Sequence, residues 1–501
     1  MGMGDTAEGQ DGDPADSAKP GPQIVDIVPD GDIVLDVTFE TSKETLRAAR
    51  KAAKPRPGQQ AAPPVFKPRT RVGYRVSLAV LKENSKYFDN LLSDTRFAEA
   101  RAIEASFQRL ALTHVKPSEA PAADLPVVKI HEDDEATRSA VQDSAFADLL
   151  RILHRKQSTT PSKAVTMHSL AVLAVLADRF DCTATVARYV SALKYKWPAT
   201  QTRLSRDDGP ALSKPSEETL RQKILVAWLL DQPPKMQIAT RELILYGSRR
   251  WSLTATTVSD EDDDDDNPEY RAAWWDLPDD LEAELHHRRH RILATIASVP
   301  RHFLALYTSR ARQCKLGYDS SASCDSYQLG EMVKFLVARD LIFLGDFASS
   351  SSSSSSLAHD YATVDVVSIL ATLKQVPSYQ IDKNHTNCGL RTRILPILEY
   401  IQAMLSAGVV SVPRERWRKG REEVAWCDLE GTYDEGEGKG GAEKKKRVFA
   451  WTRGMATDQR LRYEGALAAD RMAKALFMAD EWDWTAEDKE DVRGVEFGRW
   501  R

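Results

Sequence analysis

Three thiols and an imidazole fall into two short pairs, Cys314-x9-Cys324 and His385-x2-Cys388. Together they are the donor set of a closed structural zinc site, because thiolates and a neutral imidazole can complete a tetrahedron around that ion. The first spacing is wide, and the second pair lies about sixty residues on, across a run of serines. Free cysteines and a hydrogen-bonded histidine are therefore the other reading of the same residues. His286, His287 and His290 crowd one helical turn, but Arg288, Arg289 and Arg291 stand among them. Those cations disfavour a divalent ion, so the turn reads as a solvated polar face.

A basic segment runs through Arg414, Arg416, Arg418 and Lys419 and resumes at Lys444, Lys445, Lys446 and Arg447, with Trp417, Phe449 and Trp451 nearby. It would suit nuclear import or contact with nucleic acid. Glu415, Glu422, Glu423, Glu435 and Glu437 dilute its charge, so specific reading of a nucleic acid is not expected. No G-x-x-x-x-G-K-[ST], G-x-S-x-G or H-E-x-x-H pattern occurs. With no residue to nominate for catalysis, the expectation is a binding protein and not an enzyme.

The elements that must position these groups are legible in part. Tyr74, Arg75 and Val76 alternate as a strand does, Ser77 is placed to cap a turn at 78–81, and Ser85 to cap a second helix. Tyr87, Phe88, Leu91 and Leu92 then recur at helical spacing and need a partner face. That partner is expected in residues 165–197, where Met167, Leu170, Leu173, Leu176 and Ala177 make a helix apolar nearly all round and Val186, Val190, Leu193 and Trp197 stripe a second.

These pieces, with GDIVLDVTF at 31–39, PVVKIHEDD at 126–134 and SAFADLLRILH at 144–154, resemble a BTB/POZ domain over residues 31–197. The resemblance implies a small sheet capped by a helical cluster, and protein binding as the activity. The partners implied are a second copy of the domain, cullin-type ubiquitin ligases to which substrates are delivered, or transcriptional regulators. It also implies an interaction face of Asp32, Ile33, Leu35, Leu78 and Leu81. Many members place a His and a basic residue just before the first paired helix, and here Ser77 and Leu78 stand there. Asp32, at the acidic place of the family's buried pocket, would then face Leu78 without a cation, so a weak dimer or a monomer is expected.

The expected fold class is α+β: a BTB/POZ-like head at 23–198, a linker at 199–215, a helical region at 216–312, and a C-terminal region at 313–501. Segments 46–71 and 95–123, mixtures of Ala, Pro, Arg and Lys without steady periodicity, are expected as inserted loops in the head. Residues 1–22 read as a tail, 260–266 as an exposed acidic loop, and the serines 349–356 as a low-complexity break. In the C-terminal region 423–429 and 447–452 read as two strands of a hairpin, and a helix carrying Leu461, Ala469, Met472 and Leu476 follows.

A net charge of -5 over 501 residues supplies no global field for nucleic acid or an anionic membrane. Five scattered cysteines suit a reducing compartment, nucleus or cytoplasm, better than a secreted disulfide framework. The residues Met1–Thr6 fit a myristoylation pattern, but the acids that follow would be repelled by an anionic leaflet, so no membrane association is expected. The helices after the head resemble, in general character, those of fungal-type BTB-domain proteins. The leading expectation is an adaptor; the rival is a nuclear regulator whose C-terminal region contacts nucleic acid.

Overall fold

The computed structural model describes residues 23–53, 66–156, 165–202, 211–251, 272–314, 316, 319–345, 363–385, 388–427, 446–456 and 466–486. The tail 1–22, the acidic run, the serine run, residues 428–445 and Leu461 lie outside them. The fold is mixed α+β. It divides into two compact units, Met1–Ala164 with Val175–Leu193, and Val165–Ala174 with Lys194–Arg501.

In the first unit, strand β2 (Ile33–Glu40) pairs antiparallel with β3 (Arg69–Val76) and parallel with β4 (Val127–Asp133). Strand β1 (Gln23–Asp26) lies parallel to the far edge of β3, giving the order β1-β3-β2-β4. All of β2 except its last residue is buried, so both faces of the sheet centre are covered. On one face Ile33, Leu35, Val37 and Phe39 alternate inward. Phe39 and Tyr74 meet the ring of Phe146, which in turn meets Phe180, and Phe180 stacks on Phe88 at 5.4 Å. On the other face Val34 packs with Leu110, Ala120 and Leu125. Asp36, buried on that side, is held bidentately by Arg71.

The cover on that second face comes from a segment expected to be a loop. Residues 95–123 hold a 15-residue helix, α4 (Ala98–Leu112), whose inner side is Ala100, Ile103, Ser106 and Leu110. Two of those four are small, which hides the helical stripe from a hydrophobic pattern although it packs closely. Segment 46–71 likewise begins inside a helix, α1 (Lys43–Ala52), capped by Ser42, whose hydroxyl accepts from the Thr45 N–H.

Helices α2 (Leu78–Asn84) and α3 (Lys86–Ser93) fall where the sequence places them, and Ser85 caps the second by accepting from Phe88 N at 3.2 Å. Ser77 makes no side-chain cap. Its N–H instead donates to Nε2 of His154, the residue that ends α5 (Gln142–Leu153). Helices α6 (Met167–Arg179) and α7 (Thr183–Leu193) follow, separated by Asp181 at φ 44°.

The second unit is helical around one large core. It contains α8 (Lys214–Leu229), α9 (Pro233–Tyr246), α10 (Leu281–Thr308), α11 (Ser321–Ala338), α12 (Val366–Leu373) and α13 (Arg391–Met404). Leu281, Leu285, Ile292 and Ile296 of α10 are fully buried, as their spacing predicts, and the helix runs on through Pro300 because Phe303 and Tyr307 prolong the stripe. Residues expected as a linker are partly built in: Ala211 and Leu212 are buried, and Thr202 bridges to Leu212.

The C-terminal hairpin is corrected. After α14 (Arg414–Lys419), residues 421–424 form a turn of helix, α15, and not a strand. Strand β5 (Val448–Ala450) is followed by α16 (Arg453–Ala456) and α17 (Ala466–Phe477) and pairs parallel with β6 (Glu481–Asp483). A parallel pair needs a long crossover, and the helical segment between the strands supplies it.

Candidate functional site

Of the five residues expected to form an interaction face, Ile33, Leu35 and Leu81 are fully buried inside the first unit. They belong to its core and offer nothing to a partner. Asp32 and Leu78 are half-buried. Asp32 is not the uncompensated carboxylate expected: its Oδ1 accepts from the Leu78 backbone N–H at 2.7 Å, satisfying an orphan donor at the start of α2.

A different feature of the first unit is open to solvent. A cleft of ≈ 270 Å³ lies between the ends of α2, α5 and α7, lined by Asn84, Ile152, Arg155, Lys156, Thr185, Arg188 and Tyr189. Arg155 reaches Glu83 at 3.6 Å between exposed side chains, and Arg188 donates to Thr185 Oγ1. The lining carries three cations and an aromatic ring, with the Glu83 carboxylate beside Arg155.

In the second unit Cys314, Cys324 and Cys388 converge, with their sulfurs all within 4.8 Å of one another. The Sγ atoms of Cys314 and Cys388 are 3.8 Å apart. Cys324 and Cys314 are buried and Cys388 is half-buried. His385 is 1% exposed and interacts with the Cys314 sulfur, though it is not within that mutual radius of all three. Burial, followed by the neighbouring Cys314 and Cys388, pushes the Cys324 thiol up to about 12. The remaining cysteines stand apart: Cys182 is buried in the first unit, and Cys427 donates its N–H to Glu284.

The turn of three histidines is a solvated face only in part: His290 is exposed and His286 and His287 are half-buried, but two of the arginines among them are buried. Arg288 and Arg289 are each 1% exposed. Arg288 pairs with Glu284 at 2.6 Å and donates to the carbonyls of Val409, Ser411 and Val424. Arg289 donates to the carbonyl of Ile244 in the last turn of α9 and to that of Val364. Beside them His286 is held neutral, its pKa lowered to about 4 by burial and by the surrounding His290 and Arg289. The arginines thus serve as hydrogen-bonding hubs for backbone carbonyls that the helix packing has taken from water.

The basic segment is engaged in part, with Arg416, Arg418 and Lys419 exposed. Arg414 pairs with Asp231 and donates to the Trp228 carbonyl, Arg418 lies over the Trp228 ring, and Arg421 over Trp417. Lys446 pairs with Glu481, and Arg447 with Asp480. Lys444 and Lys445 lie outside the described residues.

No family model, curated protein or solved structure matches this chain. Among the described residues no helix is long and apolar enough to cross a membrane.

Sequence reasoning missed the cationic cleft because its lining is drawn from helix ends more than a hundred residues apart. It also missed Asp382, which bonds Nδ1 of His385, and Asp325, which accepts from the Cys314 N–H. Both carried a local signal: Asp382 stands three residues before His385, and Asp325 adjoins Cys324.

Proposed function

We propose that this chain is an adaptor that binds other proteins through its first unit, a BTB/POZ-like head, with recruitment of substrates to a cullin-type ubiquitin ligase as its setting in the nucleus or cytoplasm. Two things support the reading. The order strand, strand, helix pair, strand, helix, helix pair is the order of the pieces that carry the resemblance, gathered as a small sheet with a helical cluster. The observation that carries it is the cleft lined by Arg155, Lys156, Arg188 and Tyr189, which offers cations and an aromatic anchor to an acidic protein segment.

The cleft replaces the face expected from the sequence, since Ile33, Leu35 and Leu81 are internal. Self-association through those residues would require the core to open, so the head acts on partners through its helical end.

The test is quantitative affinity purification with the full chain as bait, compared with a chain carrying Arg155→Glu, Lys156→Glu and Arg188→Glu. The reading expects a cullin or another acidic-surfaced protein among the partners of the wild type, reduced at least about tenfold by the charge reversal. An unchanged partner set, with the variant folded by circular dichroism, removes the cleft from the proposal.

A further inference from the structure

The geometry points to a structural zinc site in the second unit, with Sγ of Cys314, Cys324 and Cys388 and Nε2 of His385 as its four ligands.

Three stretches of chain must meet for this, and two polar side chains of α11 bring them there. Cys324 sits in the first turns of that helix. Its neighbour Asp325 accepts from the backbone N–H groups of Gln313 and Cys314 at 2.8 and 2.9 Å, which fixes the extended segment after α10 against the helix. Gln328, one turn further along, accepts from Leu390 N at 3.1 Å and donates to the Tyr379 carbonyl at 2.9 Å. That pins the chain on either side of His385 and Cys388. Gly389 keeps this bend uncrowded: a Cβ there would stand 3.1 Å from the Tyr379 carbonyl oxygen.

The sulfur geometry fits the ion. A tetrahedron with Zn–S bonds of about 2.3 Å has S···S edges of about 3.8 Å. The Cys314–Cys388 separation is 3.8 Å, and the third sulfur lies within 4.8 Å of both. A disulfide would need sulfurs at about 2.05 Å and would leave the third thiol buried beside it.

The imidazole is oriented as a ligand is. Nδ1 of His385 lies 2.8 Å from Oδ1 of Asp382, so Nδ1–H donates to the carboxylate and the lone pair is left on Nε2. Nε2 lies 3.4 Å from the Ser320 hydroxyl, at the start of α11, and the ring interacts with the Cys314 sulfur. Three soft thiolates and an imidazole select Zn²⁺ over Mg²⁺ or Ca²⁺, and four protein donors leave no open position for chemistry. Binding would form three Zn–S bonds and one Zn–N bond and release the thiol protons to solvent. The ion would then tie the start of α11 to the residues leading into α13.

The experiment uses the full chain purified under reducing conditions, with metal content by elemental analysis and cobalt titration followed by absorption. The expected result is about one zinc per chain, and a thiolate-to-cobalt charge-transfer band in metal-stripped protein. Cys388→Ser abolishes both, while Cys182→Ser and Cys427→Ser leave them unchanged. Asp382→Asn removes the charge from an exposed side chain that does not contact the metal while keeping an oxygen for the Asn384 and His385 N–H groups, and weakens zinc about 10–100-fold in competition with a chelator. Metal-free wild-type protein whose cobalt titration gives no charge-transfer band would overturn the site, as would a Cys314–Cys388 disulfide in protein prepared with zinc and reductant present.

Discussion

Asp32 caps α2 from 46 residues away: its Oδ1 accepts from the Leu78 N–H at 2.7 Å. The acid that the resemblance would place at a dimer interface is therefore occupied within its own chain. Asp32→Ala leaves an N-terminal helix donor without an acceptor and should cost the first unit about 1–2 kcal/mol, with Asp32→Asn costing less because an amide oxygen can still accept. Hydrogen exchange at the Leu78 amide reports it directly. Equal protection in wild type and Asp32→Ala would show that water replaces the carboxylate at no cost.

His154 gives the first unit a stability that falls in mild acid. Its Nδ1 lies 2.8 Å from the Leu150 carbonyl and its Nε2 accepts from Ser77 N, so the ring is neutral. Burial lowers its pKa below 6.5; the Leu150 carbonyl and Asp32 oppose this, and Lys156 adds to it. Above pH 6.5 the ring is neutral folded and unfolded alike. As pH falls below 6.5 the unfolded chain takes the proton first, so unfolding is favoured until the folded pKa is reached. The protection factors of the Ser77 and Leu78 amides should fall between pH 7 and pH 5, and fall less in His154→Gln. A pH-independent protection factor would show that the ring is charged or exposed.

The Glu284–Arg288 pair in α10 is a junction for backbone groups as well as an ion pair. Glu284 accepts from Trp426 N and Cys427 N, and Arg288 donates to three carbonyls. Glu284→Ala should cost about 3–5 kcal/mol, since it strands a buried cation. Many buried pairs are replaced by apolar residues without loss, but here Glu284→Leu with Arg288→Met would strand two N–H groups and three carbonyls. The double variant should be no more stable than either single one in urea unfolding, and its recovery to the wild-type midpoint would refute the junction.

Local chemistry was legible wherever the pattern and the packing were both local. The α2–α3 pair, the Ser85 cap and the buried stripe of α10 follow from residues a few positions apart. The zinc donor set could be named from residue type alone, but nothing in the spacing of Cys314, Cys324 and Cys388 says that their sulfurs meet. Asp325 and Gln328 decide that, by gripping backbone on segments far along the chain.

The same division runs through the whole molecule. Residue types and periods, through the resemblance they carry, determined an α+β chain with a small sheet and a helical cluster in the head and a mainly helical remainder. Only tertiary structure decided which apolar residues are core and which are surface: Ile33, Leu35 and Leu81 lost their place on an interaction face because helices close over one side of the sheet and α4 over the other. It also decided that β5 pairs in parallel with a strand some thirty residues on, and that two arginines on an apparently polar turn are as buried as Glu284 of the same helix. Strand partners and arginine burial depend on which backbone groups are left without water when the helices pack, and that sum is taken over the fold and not along the sequence.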